Sequence, residues 1–83
     1  MPLKVTVKLF AAYQEAYGQP ELELDVEAGT TVLEIGDRVR SAYPSLQELA
    51  SITRYGVNLD FVDPSHPIAD GDEIVLIPPV SGG

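Results

Sequence analysis

The segment Glu73-Ile74-Val75-Leu76-Ile77 constrains the fold more than any other stretch. A strand that is apolar on both faces belongs in the middle of a sheet, where it is normally covered on both sides. The chain has 83 residues, enough for one main layer of helix, and one layer covers one face. The opposite face must therefore meet water or another protein. The strand also runs straight into Pro78-Pro79-Val80-Ser81-Gly82-Gly83, a stretch without a charged side chain.

Around that strand the other elements read in order. Leu3 to Leu9 alternates apolar and polar residues, which predicts a half-buried strand with Leu3, Val5, Val7 and Leu9 facing the core. Phe10 falls on the other parity, an apolar residue on the wet face. Ala11 to Tyr17 reads as a short helical turn closed by Gly18. Glu21 to Val26 alternates again, and the connection from Phe10 to Pro20 is long enough to make the two strands a loose hairpin rather than a tight one. After the turn Glu27-Ala28-Gly29-Thr30, Thr31 and Glu34 have the spacing of a capping box. The helix that follows puts Val32, Ile35, Val39 and Ala42 or Tyr43 on one face, with Glu34 and Arg38 as an outer pair. Gly36 in that helix marks close packing against the sheet, and Pro44 ends the helix near Ala42 or Tyr43.

Ser45 with Glu48, then Leu46, Leu49 and Ile52, predicts a second, shorter helical stretch. Arg54 to Val62 is strand-like, with Tyr55, Val57, Leu59 and Phe61 as its apolar positions and a break in parity near Gly56, Val57 and Asn58. Asp63 to Pro67 is a loop and Asp70-Gly71-Asp72 a tight turn. The expected architecture is α+β, a mixed sheet packed on one main helix. Residues 1–77 form the domain and residues 78–83 an extended tail. Phe10, Phe61 and Ile77 are the candidates for one apolar patch on the uncovered face.

The tail has a geometry of its own. Pro78 and Pro79 fix φ and lack N–H donors, so a strand reaching Ile77 leaves its sheet there and continues stiffly. Gly82 and Gly83 have no Cβ and fit a channel too narrow for a side chain. Extended, the segment from Ile77 to Gly83 spans about 20 Å. Termini are also where disorder concentrates, so a Gly-Gly end by itself decides nothing.

Composition removes several classes of function. No cysteine is present, which excludes disulfides, thiolate metal sites and a thiol nucleophile, and agrees with a reducing cytoplasm. His66 stands alone in its loop and is no metal site; Asp70, Asp72 and Glu73 lack the ligand order of a calcium loop. Serines occur without a nucleophile elbow, and no glycine-rich loop precedes a helix to cradle phosphate. Thirteen acidic residues against five basic give a net charge of −8, which disfavours nucleic acid and anionic membrane and favours a partner with a basic surface. The start Met1-Pro2-Leu3-Lys4 leads into alternation rather than an apolar run, so no signal peptide is expected, and no run reaches the roughly 20 residues that span a bilayer. With side-chain catalysis set aside, the remaining reactive group is the carboxylate of Gly83. Joined to AMP it becomes an activated acyl group, which a sulfur nucleophile converts to a thiocarboxylate and an amine to an amide. Both routes require a slim, uncharged arm ending in glycine.

At this point the whole chain resembles a known family. The order of strands and helices with a Gly-Gly tail is similar to the ubiquitin-like β-grasp of the MoaD/ThiS sulfur carriers. The segments Lys4-Val5 through Leu9-Phe10-Ala11, Val57-Asn58, His66-Pro67, Asp70-Gly71-Asp72-Glu73 and Pro78-Pro79-Val80-Ser81-Gly82-Gly83 resemble MoaD-type small subunits of molybdopterin synthase. The resemblance implies that a MoeB-type enzyme adenylates Gly83 with ATP, that the product becomes a thiocarboxylate, and that the tail then enters a catalytic large subunit. There its sulfur goes into the dithiolene of molybdopterin. It implies a cytoplasmic heterotetramer in which this chain binds no cofactor and the catalytic side chains lie in the large subunit. Phe10, Phe61, Ile77 and the tail from Pro78 to Ser81 would contact partners, and Asp72 and Glu73 would meet basic groups of the activating enzyme. A carrier for thiamine or tRNA thiolation, a protein modifier linked through Gly83, and a β-grasp interaction module with an incidental tail are the rival readings.

Overall fold

The computed structural model describes residues 2–78. Expectations that fall on Pro79, Val80, Ser81, Gly82 and Gly83 lie outside those residues. Five strands and two helices form one mixed sheet with a helical layer: β1 (Leu3–Leu9), α1 (Ala12–Tyr17), β2 (Glu21–Val26), α2 (Val32–Ser41), β3 (Arg54–Val57), β4 (Asp60–Val62) and β5 (Glu73–Ile77), with a short 3-10 helix at Pro44–Leu49. The strand order is β2-β1-β5-β3-β4. Strand β5 is central, as its apolar faces require. It pairs parallel to β1 (Val7 with Ile74, Leu9 with Leu76) and antiparallel to β3 (Tyr55 with Leu76, Val57 with Ile74). The β1–β2 hairpin pairs Leu3 with Val26 and Lys8 with Glu21.

Alternation then decides what is buried. Val5, Val7 and Leu9 of β1, Ile74 and Leu76 of β5 and Tyr55 and Val57 of β3 point to one face and are closed over by Val32, Ile35 and Val39 of α2. Helix α2 begins where the sequence places it. Glu34 N–H donates to Thr31 Oγ1 (3.3 Å) and Thr31 N–H donates to Glu34 Oε1 (3.0 Å), the reciprocal capping box. Gly36 faces Tyr55, and a Cβ there would stand 2.9 Å from Tyr55 Cε1. Gly18 closes α1 at φ 70°, a left-handed value that suits glycine.

Four expectations need correction. Glu34 and Arg38 do not pair: Glu34 is occupied by the cap, and Arg38 Nη1 donates to the Asp25 carbonyl (2.8 Å). The apolar stripe of α2 does not run on to Ala42 or Tyr43, which are exposed; it continues through Gly36 and Arg40, both buried. The second helical stretch is a 3-10 helix with Pro44 in its first turn and no side-chain cap, so Ser45 and Glu48 make no capping box; Leu46 is buried and Ile52 is exposed. Leu59 is not a strand residue but the second residue of the β3–β4 turn, with φ 76°.

Candidate functional site

The face of the sheet turned away from α2 carries a row of side chains set by strand register. Phe61 of β4 pairs with Gly56 of β3, Gly56 with Val75 of β5, Val75 with Lys8 of β1, and Lys8 with Glu21 of β2. Cross-strand partners share a face, so this row runs across all five strands. Its second member from the β4 edge is a glycine. Without a side chain at Gly56, the sheet between Phe61 and Val75 has a floor of backbone, and a groove of about 650 Å³ opens there. Phe10, Leu59, Phe61, Val75 and Ile77 supply its apolar walls, and Lys8, Asp60 and Glu73 its charged rim.

The three residues expected to form one patch therefore do share a site. Phe10 is 48% exposed and Phe61 74%, while Ile77 is half-buried. Two exposed aromatic side chains lining one groove beside a charged rim make this face a candidate interaction surface. β5 ends at Ile77, as its following prolines require, and Pro78 is buried. Ile77 is thus both a wall of the groove and the last strand residue before the tail.

Asp72 and Glu73 separate in role. Both carboxylate oxygens of Asp72 are occupied within the chain: Oδ1 accepts from Asn58 Nδ2 (2.9 Å) and Oδ2 from the Ala69 N–H (2.7 Å). Asp72 holds the 70–72 turn. Glu73 is half-buried at the groove rim and uses only its backbone in that network. Lys8 Nζ donates to Glu21 Oε1 (2.6 Å), and this bond, followed by the charge of Glu21, raises the Lys8 pKa above its ordinary value. His66 is half-buried and joins the fold through its backbone; its carbonyl accepts the Val32 N–H (3.0 Å). No group of three metal-binding side chains gathers among the described residues, and none of their helices is long and apolar enough to cross a membrane.

Sequence reasoning missed Leu59, Gly56 and Val75 as groove residues. The signal for Val75 was present in the parity of β5. Gly56 and Leu59 become visible only once the turn at Asn58-Leu59 fixes which residues of β3 and β4 lie opposite each other. Of the three non-glycine residues at positive φ among the described residues, Leu59 lines this groove, and Ala11 and Asn58 are the chain neighbours of the lining residues Phe10 and Leu59. Strained backbone of this kind concentrates at functional sites.

A mixed sheet on one main helix, with parallel central strands β1 and β5 and an open apolar face beside the end of β5, is a ubiquitin-like β-grasp domain. The chain belongs to the ThiS family, whose model matches residues 7–83. It is 35% identical over 82 residues to the molybdopterin synthase sulfur carrier subunit of Mycobacterium tuberculosis, covering 98% of this chain and 99% of that protein. It is 33% identical over 81 residues to the protein of the same name from Arabidopsis thaliana, covering 98% of this chain and 84% of that one. The crystal structure of SAMP1 from Haloferax volcanii is similar with a TM-score of 0.80 at 30% identity, covering 96% of this chain and 99% of SAMP1.

Proposed function

We propose that this chain is the cytoplasmic sulfur carrier subunit of a molybdopterin synthase. The observation that carries the reading is the double position of Ile77, which walls the open-face groove and ends the strand that feeds the Gly-Gly tail. A partner that covers the groove would receive the tail in the same event. The names of the Mycobacterium tuberculosis and Arabidopsis thaliana relatives favour the molybdopterin pathway over thiamine or tRNA thiolation.

In this reading Gly83 is the terminal residue and a MoeB-type enzyme is the first partner. The Gly83 carboxylate attacks the α-phosphorus of ATP and releases pyrophosphate. A sulfur nucleophile then displaces AMP and leaves a thiocarboxylate. The catalytic large subunit is the second partner; it takes Phe10, Phe61 and Ile77 against its surface and threads Pro78, Pro79, Val80, Ser81 and Gly82 towards its active site, where sulfur leaves Gly83 for the pterin precursor. The contribution of this chain is binding and delivery, and the two chains assemble as a heterotetramer. Glu73, at the rim, is the acidic group placed to meet a basic partner; Asp72 would do so only by giving up its bonds to Asn58 and Ala69.

The test is reconstitution with the activating enzyme, ATP and a sulfur donor, followed by mass spectrometry and then by addition of large subunit and pterin precursor. The expected product is the chain with one oxygen of Gly83 replaced by sulfur, and molybdopterin in the second stage. Gly83→Ala, or one residue added beyond Gly83, should abolish transfer with an unchanged circular dichroism spectrum, because the threading channel admits only glycine. Normal turnover by either variant sinks the threading argument. The likeness to SAMP1, a small archaeal modifier protein, favours one second reading, in which Gly83 forms amide bonds with target lysines. Lysine adducts in place of the thiocarboxylate would decide for it.

A further inference from the structure

Leu59 is 91% exposed, more than any other large apolar residue among those described, and its backbone disfavours it as well. The pairing of Val57 with Asp60 leaves Asn58 and Leu59 as a two-residue hairpin turn with φ values of 49° and 76°. Turns with positive φ at both positions take asparagine and glycine, since a Cβ in the left-handed region crowds the backbone. Asn58 fits that chemistry. Leu59 is opposed both by its φ and by the exposure of its side chain.

The turn is also fixed in place. The Asn58 N–H donates to the Glu73 carbonyl (2.9 Å), Asn58 Nδ2 donates to Asp72 Oδ1 (2.9 Å), and Asn58 Oδ1 accepts from the Glu73 N–H (3.0 Å). These bonds fasten the turn to the start of β5 and hold Leu59 at the groove wall, two residues from Phe61. Asp60 and Glu73 stand beside it without an ion pair among the described residues, because the nearby Lys8 is bonded to Glu21.

We propose that Leu59 is a specificity-determining anchor that enters an apolar pocket, rimmed by basic side chains, on the protein that covers the groove. This rests on the docking reading given above, with the catalytic large subunit as the occupant, and adds the chemistry of the surface that subunit presents. The carboxylates of Asp60 and Glu73 on a chain of net charge −8 select the basic rim. Fastening by Asn58 means that little backbone freedom is lost when Leu59 docks, which lowers the cost of burying its side chain. Asn58 and Asp72 are positioning residues in this arrangement.

The experiment titrates the full chain with the large subunit from the same organism by calorimetry and measures thermal midpoints in parallel. Leu59→Asn and Leu59→Gly each relieve the left-handed leucine. Both are expected to bind about tenfold or more weakly, with a midpoint equal to or above that of the parent chain. Unchanged affinity in both variants overturns the anchor, and so does a fall in both midpoints, which would make Leu59 a structural residue. Phe61→Ser separates the anchor from the groove. If it weakens binding while the Leu59 variants do not, only the anchor fails; if it also binds normally, the groove reading fails and the anchor with it.

Discussion

Arg40 is the residue whose environment departs most from its chemistry. It is fully buried beneath α2, with Nη1 donating to Tyr13 Oη (3.1 Å) and Nη2 to Tyr55 Oη (3.2 Å) and Asp37 Oδ1 (2.8 Å), while Nε has no partner. Burial alone would lower its pKa; the bonds to Tyr13, Asp37 and Tyr55 outweigh that and hold it above the usual guanidinium range. Asp37 is largely exposed, so losing its partner leaves a hydrated carboxylate and costs little. The volume that Arg40 fills then matters more than its charge. Arg40→Ala should lower unfolding free energy by about 2–5 kcal/mol through the cavity it opens, whereas Arg40→Met, which refills the space, should stay within about 1.5 kcal/mol of the parent. Urea denaturation distinguishes them, and equal losses would show that the hydrogen bonds hold the site. Tyr17 gives a pH effect. Its hydroxyl donates to the Val39 carbonyl (2.7 Å), and burial raises its pKa above the ordinary 10.0. A raised pKa means that the fold favours the protonated form, so its stabilisation is complete below pH 10.0 and is lost as pH rises through the folded value. Lys8, also raised from 10.5, loses its contribution in the same alkaline window. Tyr17→Phe should cost about 1 kcal/mol at neutral pH and make the decline of stability above pH 10 shallower, as read from denaturation series at stepped pH. An alkaline limb as steep as the parent's would contradict this.

Among the elements, helix α2 shows how a local preference yields to packing. Glycine inside a helix costs up to about 1 kcal/mol relative to alanine, so Gly36→Ala would stabilise an isolated helix. In the fold a methyl group there would lie 2.9 Å from Tyr55 Cε1 and 3.0 Å from Tyr55 Oη and Arg40 Nη1, all buried. Overpacking of that kind costs about 1–3 kcal/mol, so the variant should be destabilised; a higher melting temperature would refute the close contact. The sequence made this approach legible, because Gly36 lies among Val32, Ile35 and Val39 on one stripe. It made β1 and β2 legible too, since two-residue alternation over five or more positions has few other readings, and β5 through its unbroken apolar run between a turn and a proline pair. Arg40 was not legible: it occupies the stripe position four residues after Gly36, but a charged side chain there gives no sign that two tyrosines and an aspartate will receive it. Leu59 was hidden for a different reason. An apolar residue between Val57 and Phe61 continues the alternation, and only Asn58 hints that two residues there form a turn. The Pro44–Leu49 stretch has helix-like spacing, yet proline in its first turn and the absence of a side-chain cap leave it 3-10.

For the molecule as a whole, the open face follows from size, because a chain this short closes one face of a central apolar strand and leaves the other. The groove's depth could not be anticipated in the same way, since it depends on Gly56 lying opposite both Phe61 and Val75. Net charge adds the last property. A domain carrying −8, with Asp60 and Glu73 on the groove rim, approaches a basic partner along a favourable field, and that attraction acts at distances where the apolar walls exert no force. The two contributions can be separated by salt. Raising ionic strength from about 0.01 M to 0.15 M shortens the screening length from about 30 Å to about 8 Å. Association with the large subunit should slow by about tenfold or more over that range, while dissociation, which the proposed docking assigns to apolar contacts of Phe10, Phe61 and Ile77, should change little. Surface plasmon resonance at stepped salt measures both rates. Phe61→Ser should behave in the opposite sense, releasing faster with a nearly normal association rate, because it removes contact without removing charge. If salt instead accelerates release and leaves association untouched, the acidic groups lie within the closed interface rather than around it, and the groove rim would have to be redrawn.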